Sequence, residues 1–425
     1  MSSKFVVSKI GSNPSIRIAL DSPRSGSDYS KGQQYISLAG WAYRYDGDPV
    51  SLVVSHMPGV VFRPNRNRAD VVKLINDAPL ECGFRFPIDG SPEFKIGVAC
   101  EDGVDWLYLV RSEQVKAVVG RGGHLFLAND ANSSEEQFAG RMLISESELV
   151  KWDRYFNFLN EWSEKSGNNY TFMVAPAKEY IYPDLYHVSK GRVTPFEQFI
   201  SRFVGKANIL NPEVELFADR DFTYHKTDTH WNDYGASVAV RTFCRSSGYD
   251  FFDPDVLYSV VKISGDLGSK LTPVVEESSL VIRDRSKLVR LKTYDNGVRI
   301  RGNVVIYENP SAPNKATLMF FGDSFSVPMA DFLSHSFSKV VRIFTGADID
   351  WEAVRAENPS HILIELTSRF LIRAPSETFS IREELERKYK SMNDADIKQH
   401  MRLAERDMPK EYDYYVNACR ASLNK

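Results

Sequence analysis

The rhythm of apolar and polar positions changes near residue 120. Upstream, short apolar runs at 35–42, 50–54, 82–86 and 94–99 alternate with polar turns. With no long helical period among them, residues 1–118 are expected to form a β-sandwich, an accessory domain with a carbohydrate-binding character to be tested. A single helical turn is expected near 68–72. Downstream, Leu149, Trp152, Tyr155, Phe156 and Leu159 fall on one face of a helix over 145–166. A buried strand over 170–175, a helix over 195–204, a strand over 213–217 and a helix over 236–244 follow. Strands at 316–321, 340–344 and 361–366 then alternate with helical segments. This order predicts an α/β fold over 119–375, a three-layer α/β/α domain with a parallel sheet. Residues 250–309 are less regular and read as an excursion that shapes a cleft. A charged helical tail is expected over 376–425, with Glu383, Glu384, Glu386, Arg387 and Lys388 followed by Ile397, Met401 and Leu403.

Composition narrows the class. The 425 residues have room for two or three domains with real cores, and 43% hydrophobic content is that of an ordinary globular chain. With 53 basic and 56 acidic residues the net charge is −3, so no nucleic-acid partner is expected. Cys82, Cys100, Cys244 and Cys419 have neither zinc-site nor disulfide spacing. The first ten residues lack an apolar signal core, and no run is long enough to span a bilayer; a cytoplasmic location with no transmembrane segment is expected. Trp41, Tyr43 and Trp106 could stack on sugar rings, although core packing is the stronger expectation for each.

Two short stretches carry chemistry. In the polar segment 224–232 an acid, Asp228, precedes His230 by two residues. In 318–326 an apolar run stops at Gly322 and presents Ser324 after Asp323. A serine hydroxyl needs a neutral imidazole to take its proton and a carboxylate to orient that imidazole, so Asp228, His230 and Ser324 are the expected catalytic set. The alternatives are that Ser324 only caps the following helix and that His230 is a structural or metal-binding residue. Only His225 and Asp233 lie close by as further metal ligands, so no metal is expected. A serine at a helix N-terminus can offer its own N–H to an oxyanion.

Asp-Thr-His-Trp-Asn at 228–232 followed by Gly-Asp-Ser-Phe at 322–325 resembles the SGNH-hydrolase-like domain of the alginate O-acetyltransferases of the AlgJ/AlgX type. In that family the Asp-x-His pair precedes the serine, as it does here. Similar marks lie at 123–127, 140–141, 176–183 and 365–371, so the resemblance spans roughly residues 120–375. It implies Ser324 as nucleophile, His230 as base and Asp228 as orienter. Arg369 is a candidate substrate or oxyanion contact, against a salt bridge to Glu365. Trp231 and Asn232 are further substrate-site candidates, while Lys178 and Tyr182 are read as structural. The chain departs from the family in lacking an export signal and a recognisable glycine and asparagine oxyanion block. The implied function is O-acetylation of a bacterial surface polysaccharide or its precursor through an acetyl-serine. Acetyl-CoA is the expected donor, with no bound cofactor, and the expected partners are a glycan, the acetyl donor and other polysaccharide-biosynthesis proteins. A carbohydrate esterase using the same triad, and a non-catalytic glycan-binding protein, are the alternatives.

Overall fold

The computed structural model describes residues 3–423 apart from 25–26, 30–32, 115–116, 129, 272, 377, 391, 393–396 and 398–411. The chain divides into two compact units, Met1–Lys116 with Ser269–Val275, and Ala117–Gly268 with Glu276–Lys425.

The first unit is built from two antiparallel sheets. Strands β1 (Ser3–Lys9), β3 (Asp28–Tyr29), β5 (Leu52–Val54), β7 (Glu93–Cys100) and β8 (Gly103–Gln114) form one sheet, in the order β3-β1-β8-β7-β5. Strands β2 (Ile16–Ser22), β4 (Tyr35–Arg44) and β6 (Gly83–Asp89) form the other, in the order β2-β4-β6. Alternation aims one face of each strand inward, so Phe5, Leu52, Ile96 and Val110 share one apolar cluster with Ile36, Leu38 and Ile88. The predicted helical turn is the helix Ala69–Leu74. Tyr43 is buried and stacks on Trp41 at 6.1 Å between ring centroids, within a small cluster that includes Val71 and Cys82. Tyr43 is therefore a packing ring, while Trp41 packs against the cluster and stays partly exposed.

The second unit is centred on a seven-stranded sheet. Its members are β11 (Asn169–Ala175), β12 (Ile209–Leu210), β15 (Lys292–Asp295), β16 (Val304–Glu308), β17 (Asn314–Gly322), β18 (Phe337–Phe344) and β19 (His361–Thr367), in the order β12-β11-β19-β17-β18-β16-β15. The sheet is mixed. β12, β11, β19, β17 and β18 are parallel, but β16 and β15 add antiparallel at one edge. The expectation of a parallel sheet fails there because part of the apparently irregular excursion is a β-hairpin, turning through Gly297 (φ 69°) and Gly302 (φ 84°). Two small antiparallel pairs accompany the sheet: β9 (Ala117–Val119) with β10 (Leu125–Leu127), and β13 (Tyr258–Ile263) with β14 (Glu277–Ile282).

The long helix Glu146–Ser166 is capped by Ser145, whose hydroxyl accepts from Glu148 N, and it stops at Gly167 in the left-handed region. Its five predicted core residues are all buried. Glu213–Ala218 is a helix where a strand was expected. Val214 and Phe217 are exposed and only Leu216 is buried, so the apparent alternation was not a buried strand face. The tail helices Ile381–Tyr389 and Asp413–Leu423 pack together, and Leu385, Tyr389, Tyr415 and Cys419 enter the core of this unit. Met401 and Leu403 lie outside the described residues. All four cysteines are free thiols. Among the described residues no helix is long and apolar enough to cross a membrane.

Candidate active site

Ser324 owes its position to the turn that ends β17. At Gly322 an added Cβ would lie 2.4 Å from Ser326 Cβ and 2.9 Å from Glu365 Oε2, so the glycine is required by close packing. The next residue is pinned inward. Asp323 N donates to Glu365 Oε2 at 3.0 Å, and the Asp323 carboxylate accepts from Phe325 N (2.9 Å), Thr367 N (2.9 Å) and Thr367 Oγ1 (2.6 Å). With Asp323 held down onto β19, Ser324 is left at the mouth of the turn, before the helix Ser326–Ser336. Among the described residues the Ser324 backbone N–H has no hydrogen-bond partner, which leaves it available to an oxyanion.

The second half of the site is the segment between Thr223 and the helix Asp233–Ser246. Asn232 caps that helix, accepting from Gly235 N at 2.9 Å, while its amide donates to Phe222 O. Trp231 is buried, and its indole N–H donates to Phe325 O at 3.1 Å, tying this loop to the serine turn. The His230 ring lies 4.9 Å from the Phe325 ring.

These restraints bring the three predicted catalytic residues into one relay. His230 Nε2 is 2.7 Å from Ser324 Oγ, and His230 Nδ1 is 2.6 Å from Asp228 Oδ1. Asp228 Oδ1 also accepts from His230 N at 2.9 Å, and Oδ2 accepts from Asp266 N at 2.7 Å. Burial works to raise the Asp228 pKa, but the bonds from the His230 ring and from the backbone N–H groups of His230 and Asp266 outweigh it. The carboxylate is held below its usual range. An ionised Asp228 fixes the proton on Nδ1 and leaves Nε2 free to accept from the serine.

The excursion supplies the outer support. The Asp266 carboxylate accepts from Thr229 N (2.7 Å) and Thr229 Oγ1 (2.9 Å). Glu277 Oε1 accepts from Thr227 N (2.8 Å) and Thr227 Oγ1 (2.9 Å), and Leu267 N and Gly268 N donate to Thr227 O. Gly265 has φ 58°, and a Cβ there would meet Thr227 O at 2.3 Å. Sequence reasoning missed Asp266 and Glu277. The one local signal was a Gly-Asp pair within an irregular segment.

Glu365 was named before only as a salt-bridge partner for Arg369, and no such bridge forms among the described residues. Glu365 is fully buried, its Oε1 has no hydrogen-bond partner among the described residues, and burial followed by the neighbouring Asp323 charge pushes its carboxyl well above the usual range. A charged residue inside the apolar strand 361–366 was the signal that could have found it. The Arg369 guanidinium instead rests over the rings of Phe325 (5.7 Å) and Phe370 (5.1 Å), beside the serine turn. Trp231 and Asn232 direct their polar atoms into the protein. A cavity of about 420 Å³ opens at the carboxyl ends of β17, β18 and β19, with Asn132, Asp323, Leu366, Phe370 and Arg373 in its lining.

Asp228, His230 and Asp266 also bring one potential metal-ligand atom each within 4.8 Å of one another. Both ring nitrogens of His230 are engaged in the relay, however, and the Asp266 carboxylate is taken by Thr229. The donor set therefore suits proton transfer better than metal ligation.

No family model and no curated protein matches the chain in sequence. Among solved structures, the chain is similar to Bacillus cereus PatB1 with a sulfonyl adduct (14% identity, 54% of this chain and 90% of that one, TM-score 0.41). It is also similar to a DHHW family protein from Eubacterium siraeum (15% identity, 62% and 94%, TM-score 0.42). A third is the O-acetyltransferase domain of Pseudomonas putida AlgJ (14% identity, 68% and 99%, TM-score 0.37).

Proposed function

We propose that this protein is a serine O-acyltransferase that acetylates a hydroxyl of a bacterial surface polysaccharide or its precursor. The observation that carries this reading is the unbroken relay from Asp228 through His230 to Ser324. In the first half-reaction His230 Nε2 takes the Ser324 proton while Oγ bonds to the acetyl carbonyl carbon. The Ser324 N–H faces the developing oxyanion, and the donor leaves with the proton from His230. A thioester such as acetyl-CoA is the donor proposed. In the second half-reaction a sugar hydroxyl gives its proton to His230 and attacks the acetyl-serine, and the proton returns to Ser324. The polysaccharide acceptor is proposed from the motif resemblance, and the cavity beside Asp323 is the proposed acceptor entrance.

The test is turnover of a chromogenic acetyl ester with and without added oligosaccharide, alongside Ser324→Ala. Acetylated sugar that vanishes in Ser324→Ala supports the transferase. Acetate alone, at a rate indifferent to sugar, supports the esterase. No turnover and no acyl-enzyme would leave the glycan-binding reading.

A further inference from the structure

We propose that Lys178 is a positioning residue of the acyl-transfer site, its ammonium clamping the loop that carries Asp228 and His230; this rests on Ser324 being the nucleophile. Lys178 opens the short helix Lys178–Ile181 that follows β11, and it is only 2% exposed. Its Nζ lies 2.9 Å from Leu125 O, 2.7 Å from Lys226 O and 3.0 Å from Asp228 O. Three carbonyl acceptors call for three hydrogens, which an ammonium has and a neutral amine lacks.

The chain positions of those acceptors give the clamp its meaning. Lys226 and Asp228 bracket the start of the catalytic loop, while Leu125 belongs to β10, whose own N–H donates to Lys226 O at 2.7 Å. One buried cation thus fastens the loop to a strand immediately before the catalytic acid. Phe126 supplies an aromatic wall, its ring centroid 5.3 Å from Nζ.

Burying an ammonium is costly unless each of its hydrogens is accepted, and here the three carbonyls accept all three. Burial pulls the Lys178 pKa down to about 7, against the opposing influence of Glu277, Asp228, Asp266 and Glu179. His124 and His225 also face it, and both have lowered pKa values with burial as the leading cause. The three-pronged clamp is therefore complete below about pH 7 and loses a hydrogen as pH rises through that value.

The experiment follows the rate of Ser324 sulfonylation by phenylmethanesulfonyl fluoride across pH 5.5–9, read by mass spectrometry; Oγ bonds to sulfur, fluoride leaves and His230 takes the proton. Lys178→Met is expected to label about 10- to 100-fold more slowly at pH 6.5, the scale on which small misplacements of catalytic groups act. The wild-type rate is expected to decline on the alkaline side, and Lys178→Met to lack that decline. Lys178→Arg, whose cation does not titrate in this range, is expected to recover part of the rate and also to lack it. Wild-type protein that is never labelled at Ser324 removes the nucleophile reading and the proposal with it. Labelled wild type with Lys178→Met of equal rate and profile overturns the Lys178 role alone. So does a slowed Lys178→Met whose alkaline decline persists. Should Lys178→Met fail to fold, an alkaline decline retained in Lys178→Arg overturns the proposal, and its loss supports it.

Discussion

Replacing Asp228 by asparagine removes one charge and two hydrogens' worth of acceptor capacity without changing side-chain size. The carboxylate accepts three bonds, two at Oδ1 from His230 and one at Oδ2 from Asp266 N. An amide has one acceptor atom, so either orientation sets an N–H against a backbone donor. With the amide nitrogen toward Asp266, His230 keeps its tautomer but loses a charge-assisted bond, about 1.5–3 kcal/mol. That corresponds to roughly 10- to 150-fold in rate at about 1.4 kcal/mol per decade. With the amide nitrogen toward His230, Nδ1 must accept and Nε2 carries the proton, which disables the base and costs on the order of 10⁴-fold. Asp228→Asn should therefore lose at least about tenfold in the rate of ester turnover, and up to the tautomer-blocked limit. The unpaired backbone N–H should also cost about 1–3 kcal/mol of stability, read from urea unfolding. A variant that is as stable as wild type and turns over within threefold of it would refute the role given to Asp228.

Other outcomes follow from the same geometry. Glu365→Gln should match wild type within about 1 kcal/mol near pH 5, because a neutral amide replaces a carboxyl that burial keeps protonated. Above the ordinary carboxylate range the folded wild type holds a proton that the unfolded chain has lost, so wild-type stability should fall relative to Glu365→Gln as pH rises; parallel curves by thermal unfolding would contradict this. Gly322→Ala should destabilise by about 1–3 kcal/mol and slow turnover, since its Cβ would drive Ser326 or Glu365 away from the serine turn; unchanged melting would show that the contact is slack. Arg369→Met should leave melting nearly unchanged, because the guanidinium makes ring contacts only among the described residues, yet weaken turnover; equal kcat/KM would remove Arg369 from the substrate site.

The three residues that the structure joins in one hydrogen-bonded relay, Asp228, His230 and Ser324, were legible in the sequence because their signals are local. An acid two residues before a histidine lets one short loop place Asp228 against the ring, and an apolar strand stopped by glycine marks the Ser324 turn. Long buried periods, such as the face of Glu146–Ser166, were likewise legible. What escaped was set by partners distant in the chain. The Asp266 and Glu277 carboxylates accept from backbone N–H groups of a loop 37 and 50 residues earlier, with no spacing rule to betray them. The β15–β16 hairpin was hidden because an edge pair is recognised by what it joins. Glu213–Ala218 shows the opposite error, alternation read as a strand where only Leu216 is buried.

The central claim is that Ser324 carries the acyl group, and trapping that intermediate tests it most directly. The protein is mixed briefly with p-nitrophenyl acetate, quenched in acid, digested and mapped by mass spectrometry. The account predicts one acetyl group on the peptide containing Ser324, absent from Ser324→Ala and strongly reduced in His230→Ala. Turnover of the ester with no acetyl on Ser324, or an acetyl group on another residue that survives Ser324→Ala, would contradict it.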